Sequence, residues 1–179
     1  MRISRPLAAA AMAALLAAGG LPSAYAQSRT VSDAKSAVSA SDQKMMAEFA
    51  QANMAEVAVA KLAQSRSSNA EIRKFAQQMI DDHGKAYEDL SQLAEDKHVT
   101  LPKEADAKHQ EMLKKMNTLN GAEFDRQYAA KAGVEDHQNA KKLVDRIAKT
   151  AQDPGLKALG RKAQPIIDMH LKMAKELKP

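Results

Sequence analysis

From Ser41 to the C-terminus the chain returns a small or aliphatic residue every three to four positions, which commits it to helices packed side by side. Ala, Leu, Met, Lys, Glu and Gln dominate, and no run of β-branched residues competes for strand. Turn-forming residues break the pattern at Ser67-Ser68-Asn69, at His98 to Pro102, at Asn120-Gly121 and at Asp153-Pro154. These breaks predict helices over 42–66, with Ser41 as N-cap, over 70–96, over 103–119 behind Pro102, over 122–151, and from Pro154 to Leu177 behind an Asp153 cap. Pro165 falls inside the last helix and is expected to kink it. Short turns after the first and fourth helices make two antiparallel hairpins, with the shorter third helix as their connection. The expected fold is an all-α four-helix bundle.

The apolar stripes of the four long helices each carry one residue that does not belong in oil. In the first, the stripe is Met45, Phe49, Ala52, Glu56, Val59 and Ala63; in the second, Ile72, Phe75 or Ala76, Met79, His83, Ala86, Leu90 and Leu93. The fourth reads Ala130, Gly133, His137, Ala140, Val144, Ile147 and Ala151, and the fifth Leu159, Ala163, Ile166, His170, Met173 and Leu177. Counted from the turns at ~1.5 Å per residue, His137 and His170 fall at the same height, and Glu56 is offset from His83 by about 7 Å.

One carboxylate and three imidazoles converging in a bundle core make a mononuclear metal site from Glu56, His83, His137 and His170. Neutral imidazole suits Fe, Zn or Cu. Asp82, Asp136 and Asp168 stand beside the histidines, and Asn53 lies one turn from Glu56, all as candidate hydrogen-bond partners that orient the ligands. Met79, Met169 and Met173 near the histidines add a soft-ligand argument for copper, although methionine at helical spacing is ordinarily core filler. A purely structural reading stands beside the metal: a buried Glu needs a partner, and a Glu/His network fixing helix register would supply one. His98 and His109 have no assigned role.

Arg2 and Arg5, an apolar run from Leu7 to Leu21 and Ala24-Tyr25-Ala26 have the three parts of a secretory signal, with cleavage expected after Ala26. The run is about 15 residues, short of the ~20 a membrane span needs. Residues 27–40 then form a flexible, Ser-rich lead, and 41–179 the helical domain. No transmembrane segment is expected after cleavage, and the location is the periplasm, free or associated with the outer membrane. The sequence holds no cysteine, so disulfides, thiolate metal sites and cysteine nucleophiles are excluded.

The net charge of +5 falls to about +3 once Arg2 and Arg5 are removed, and charges of both signs are interspersed. That argues against a nucleic-acid partner, as does the scarcity of aromatics. Nothing in the sequence has the form of a nucleophile–base pair, a phosphate-binding Gly loop or a dinucleotide fingerprint, which favours binding over catalysis. An envelope partner or a second copy of the chain is left undefined.

Asn53-x-x-Glu56-Val57, Phe75-Ala76-x-x-Met79-x-x-Asp82-His83, Leu101-Pro102, Gly121-x-x-Phe124-Asp125-x-x-Tyr128, Asp136-His137 and Pro165 followed by His170-Leu171 together span nearly all of the chain after residue 42. In these the chain resembles the exported ferritin-like bundle proteins of domain-of-unknown-function family 4142, often labelled outer-membrane proteins. The resemblance implies a ferritin-like bundle and an envelope location, with metal handling or redox and stress protection as candidate roles, and it brings no established activity. It does not bring di-iron chemistry. That site needs Glu three residues before His on two helices, and the residues three before His83, His137 and His170 are Ile80, Val134 and Ile167.

Overall fold

The computed structural model describes residues 38–179. The expected leader, and all of the lead except its last three residues, lie outside the described part. Its regular elements are all helices: α1 (Ala40–Arg66), α2 (Ala70–Asp96), α3 (Ala107–Met116), α4 (Gly121–Tyr128), a π-helical segment (Ala129–Asp136), α5 (His137–Thr150) and α6 (Pro154–Glu176). α4, the π segment and α5 run on without a break, so four rods make the bundle. α1 packs on α2, α5 on α6, α2 on α6 and α1 on α5. The expected all-α bundle of two hairpins is what forms. Among the described residues no helix is long and apolar enough to cross a membrane.

The helix ends follow cap chemistry. α2 starts at Asn69, whose side-chain oxygen accepts from Glu71 N at 2.9 Å and Ile72 N at 3.4 Å. α6 starts at Asp153, which accepts from Leu156 N at 2.9 Å with Pro154 in the first helical turn. The chain leaves α2 through His98 at φ +56°, with Val99 N donating to Ala94 O. α1 is capped by Ser39, which accepts from Asp42 N, and not by the expected Ser41. That frees the Asp42 carboxylate to accept from Gln152 N and, at 2.7 Å, from Asp153 N, so the first turn of α1 holds the α5–α6 turn. Lys97 Nζ reaches Asp153 at 2.5 Å and adds the end of α2 to the same corner. α3 is shorter than expected because Asp106, accepting from His109 N at 3.0 Å, caps the chain four residues into the expected helix. α6 continues through Pro165.

The interior has two apolar halves. One contains Met45, Met46, Phe49, Leu90, Val144, Ile147, Leu156 and Ile167, towards the α5–α6 turn. The other contains Val59, Ile72, Phe75, Met79, Phe124, Tyr128, Ala132 and Ala174, towards the α1–α2 turn. Each rod places buried polar residues between the two sets: Asn53 and Glu56 on α1, His83 on α2, Asp136 and His137 at the π–α5 junction, His170 on α6.

The π segment is the main departure from expectation. Upstream of His137 the buried residues come in pairs four apart, Phe124/Asp125, Tyr128/Ala129, Ala132/Gly133 and Asp136/His137. A spacing of four is wider than the α-helical 3.6, and the wider turn accommodates it. Ala130, expected in the core at α-helical spacing, is accordingly exposed. Gly133 lets this wide turn close on α6: a Cβ there would lie 3.1 Å from Ala174 Cβ.

α6 approaches α5 closely at Gly160. A Cβ there would lie 2.6 Å from Ile147 Cγ2 and 2.8 Å from the backbone nitrogen of Ala148. The backbone atom cannot swing aside, so Gly160→Ala is expected to destabilise the protein by roughly 1–3 kcal/mol. Urea unfolding of the variant, read at the midpoint with unchanged slope, measures this.

Candidate metal centre

His83, His137 and His170 come from three different rods and meet at the centre of the polar layer. Their ring centroids form a nearly equilateral triangle with sides of 5.4, 5.3 and 5.3 Å. One nitrogen from each ring lies within 4.8 Å of the other two. His137 and His170 are fully buried, and His83 is 4% exposed.

Which nitrogens face inward follows from what the others touch. His137 Nδ1 is 2.9 Å from the Ala132 carbonyl, an obligatory acceptor, so Nδ1 carries the proton. His83 Nδ1 is 2.9 Å from Asn53 Oδ1. The Asn53 amide is oriented by its own Nδ2, which donates to Phe49 O at 2.7 Å, so Oδ1 accepts from His83. His170 Nε2 donates to Asp82 Oδ2 at 2.8 Å, and Gln78 Nε2 donates to the same carboxylate oxygen. Each imidazole thus spends its single proton on an outer acceptor. What remains is His83 Nε2, His137 Nε2 and His170 Nδ1, each a bare lone pair. His170 Nδ1 is buried without a hydrogen-bond partner, and the two Nε2 atoms are 3.4 Å apart.

The protonation states agree with this tautomer pattern. Burial pushes His83 well below the ordinary imidazole range, with His137 and His170 adding to the effect. Burial, opposed in part by the bond to Ala132, takes His137 down to about 4. Burial lowers His170 as well, against the pull of Asp82. All three are neutral at pH 7, the form that ligates metal.

Glu56 takes a different place from the three rings. Its Oε1 is 3.6 Å from His137 Nδ1, the outer nitrogen of that ring, and its Oε2 is buried without a partner. Burial, followed by the negative charge of Asp136, raises its pKa well above the usual range, so it is a neutral acid and not the anionic half of an ion pair. Of the expected orienting residues, Asn53 and Asp82 serve His83 and His170. Asp136 is buried at the π–α5 junction and raised by burial, with Lys108 Nζ at 4.0 Å. Asp168 is exposed and paired with Lys141 at 2.8 Å. Met79 packs in the apolar half-core and Met169 is 43% exposed, so neither stands with the three rings. The Ala132 carbonyl could not be anticipated from side-chain identity, because it depends on the π segment.

Residues 27–177 match the model of the family described as Domain of unknown function (DUF4142), and the chain belongs to that family. No curated protein and no solved structure matches it.

The depressed imidazoles and the elevated Glu56 set opposite pH dependences. An unfolded chain takes up protons on its histidines below about pH 6.5, which the folded rings resist, so their contribution is complete above that value and is lost as pH falls. For His137 the window closes near pH 4. Each histidine adds a slope of up to about 1.4 kcal/mol per pH unit inside its window. Glu56 keeps its proton in the fold, so its contribution is present below about pH 4.5 and is lost as pH rises. Metal-free protein is therefore expected to lose stability on acidification from pH 6.5. Glu56→Gln should be more stable than the parent at pH 8 and not at pH 4.5, as measured by urea titrations across the range.

Proposed function

We propose that this protein is an exported metal-binding bundle that holds one transition-metal ion through His83 Nε2, His137 Nε2 and His170 Nδ1, and serves metal handling or redox and stress protection in the periplasm. The observation that carries the reading is the convergence of three unprotonated nitrogens in a buried layer. Lone pairs facing one another repel, whereas the same arrangement is favourable around a cation. The 3.4 Å between the two Nε2 atoms suits two ligands ~2.0–2.1 Å from one ion at a tetrahedral angle. Three neutral imidazoles with no thiolate fit Zn, Cu or Fe, and a three-histidine set leaves a coordination position open. Export rests on the basic start, the short apolar run and the Ala-x-Ala pattern of residues 1–26.

The alternative reading, a non-catalytic envelope protein stabilised by a Glu/His network, fits the protonation states less well. An ion pair would need charge on both Glu56 and an imidazole, and burial drives both to neutrality; as a hydrogen-bond network the set leaves Glu56 Oε2 and His170 Nδ1 without partners.

Metal analysis of protein purified without a histidine tag and reconstituted with Zn(II), Cu(II) or Fe(II) is expected to give one ion per chain, and none in His83→Ala/His137→Ala. Metal at 100 times its Kd should add about 2.7 kcal/mol of stability to the parent alone. Asn53→Ala, which frees His83 to turn, should weaken binding by about 10–100-fold. Equal, negligible metal in parent and double variant would end the proposal.

A further inference from the structure

A second group of titratable side chains stands immediately outside the histidine cluster. A pocket of about 150 Å³ opens between α1, α3 and the π–α5 junction, and Glu56, His83, Asp106, His109 and Asp136 are among the residues that line it. The volume is well above the ~10–15 Å³ one water requires. No lysine or arginine lines it. Its inner wall includes His83, one of the three converging rings, and Glu56, which touches the back of a second. Towards its rim, Asp106 accepts from His109 Nδ1 at 2.7 Å, which fixes that ring and leaves Nε2 as its lone pair.

Two further facts separate this pocket from an ordinary acidic patch. Glu56 is 5% exposed and is among the residues that line the cavity, and its Oε2 is buried with no donor to satisfy it, an expensive arrangement for a polar group. Asp136 is 8% exposed, and the lysine paired with it, Lys108, is 4.0 Å away and lies outside the pocket lining. On the opposite side of the three rings is a smaller, mainly apolar pocket of about 70 Å³, with Lys85 and Lys162 at its mouth. There Asp89 pairs with both ammonium groups and Asp82 also lines the wall, whereas in the larger pocket a cation approaching the histidines meets acids and an imidazole with no ammonium group in the lining.

We infer that the pocket formed by Glu56, Asp106, His109 and Asp136 is the portal through which a divalent transition-metal cation reaches the three histidines. This rests on the metal reading given above. The cation arrives with its water shell and is drawn in by the carboxylates of Asp106 and Asp136, while the neutral Glu56 offers oxygen lone pairs. It exchanges waters first for oxygen and His109 nitrogen, then for the inward nitrogens of His83, His137 and His170. The oxygen ligands are the intermediate station and the imidazoles the destination, since borderline cations hold neutral imidazole more firmly than carboxylate.

A portal governs rates in both directions, and this separates it from a ligand. Stopped-flow mixing of metal-free full-length protein with Co(II), followed by the visible bands of the bound ion, gives association and dissociation rates. Asp136→Asn/His109→Gln is expected to slow association by about tenfold and to slow dissociation with it, so that affinity moves less than either rate. Asp168→Asn removes one charge outside the pocket and should associate like the parent. Added salt should slow the parent and leave the double variant nearly unaffected. Asp106→Asn, which keeps the α3 cap, gives the same test with less risk to folding. Association at the parental rate in both pocket variants would overturn the portal and leave the metal site standing. So would a loss of affinity arising only from faster dissociation. A parent protein that takes up no Co(II) would overturn the portal and the metal reading together.

Discussion

The arrangement on which the rest of the site depends is the placing of three protons on the outside of a ring of imidazoles. An imidazole has two nitrogens and, when neutral, one proton, so an acceptor on one side leaves a lone pair on the other. Asn53, the Ala132 carbonyl and Asp82 are those acceptors, one per ring. They differ in chemistry and come from three elements, yet each turns its histidine the same way with respect to the centre. Burial then keeps the rings from taking a second proton. Position, tautomer and charge state all describe a receptor for a cation that prefers nitrogen.

The fold was largely legible because the apolar period, the breaks and the caps agree. α2 has the boundaries its pattern predicts, and Asp153-Pro154 opens α6 as cap and first residue. The three histidines were legible for the same reason, since a polar residue on an apolar stripe has only the core to enter. The height of the α1 partner is legible too. Asn53 lies 13 residues before Arg66 and His83 lies 13 after Ala70, so these two are level and Glu56 is nearly a turn away. The bond between Asn53 and His83 is that equality realised. A backbone carbonyl as the partner of His137 was not legible, because residue identity carries no sign of where a carbonyl points.

Burial explains why Glu56 and the histidines do not neutralise one another as acid and base. In water, a carboxylate and an imidazolium would attract; in a dry layer each ion first loses its hydration, and that loss exceeds what a 3.6 Å approach returns. The neutral forms prevail, and this cluster of Glu56 and three imidazoles is polar without being charged. It is therefore prepared to accept positive charge brought from outside.

The π-helical segment has a consequence for the interior as a whole. The rod made of α4, the segment and α5 contributes Phe124, Tyr128 and Ala132 to one half of the core and Val144 and Ile147 to the other. An α-helix turns by about 100° per residue, so one residue too many or too few would swing one of these faces towards solvent. The wide turn absorbs the mismatch as a sleeve joins two shafts whose keyways are out of line, and His137 is the first residue beyond it. Were the sleeve to tighten into ordinary helix, the rod would have to give up its grip on one end of the bundle or the other.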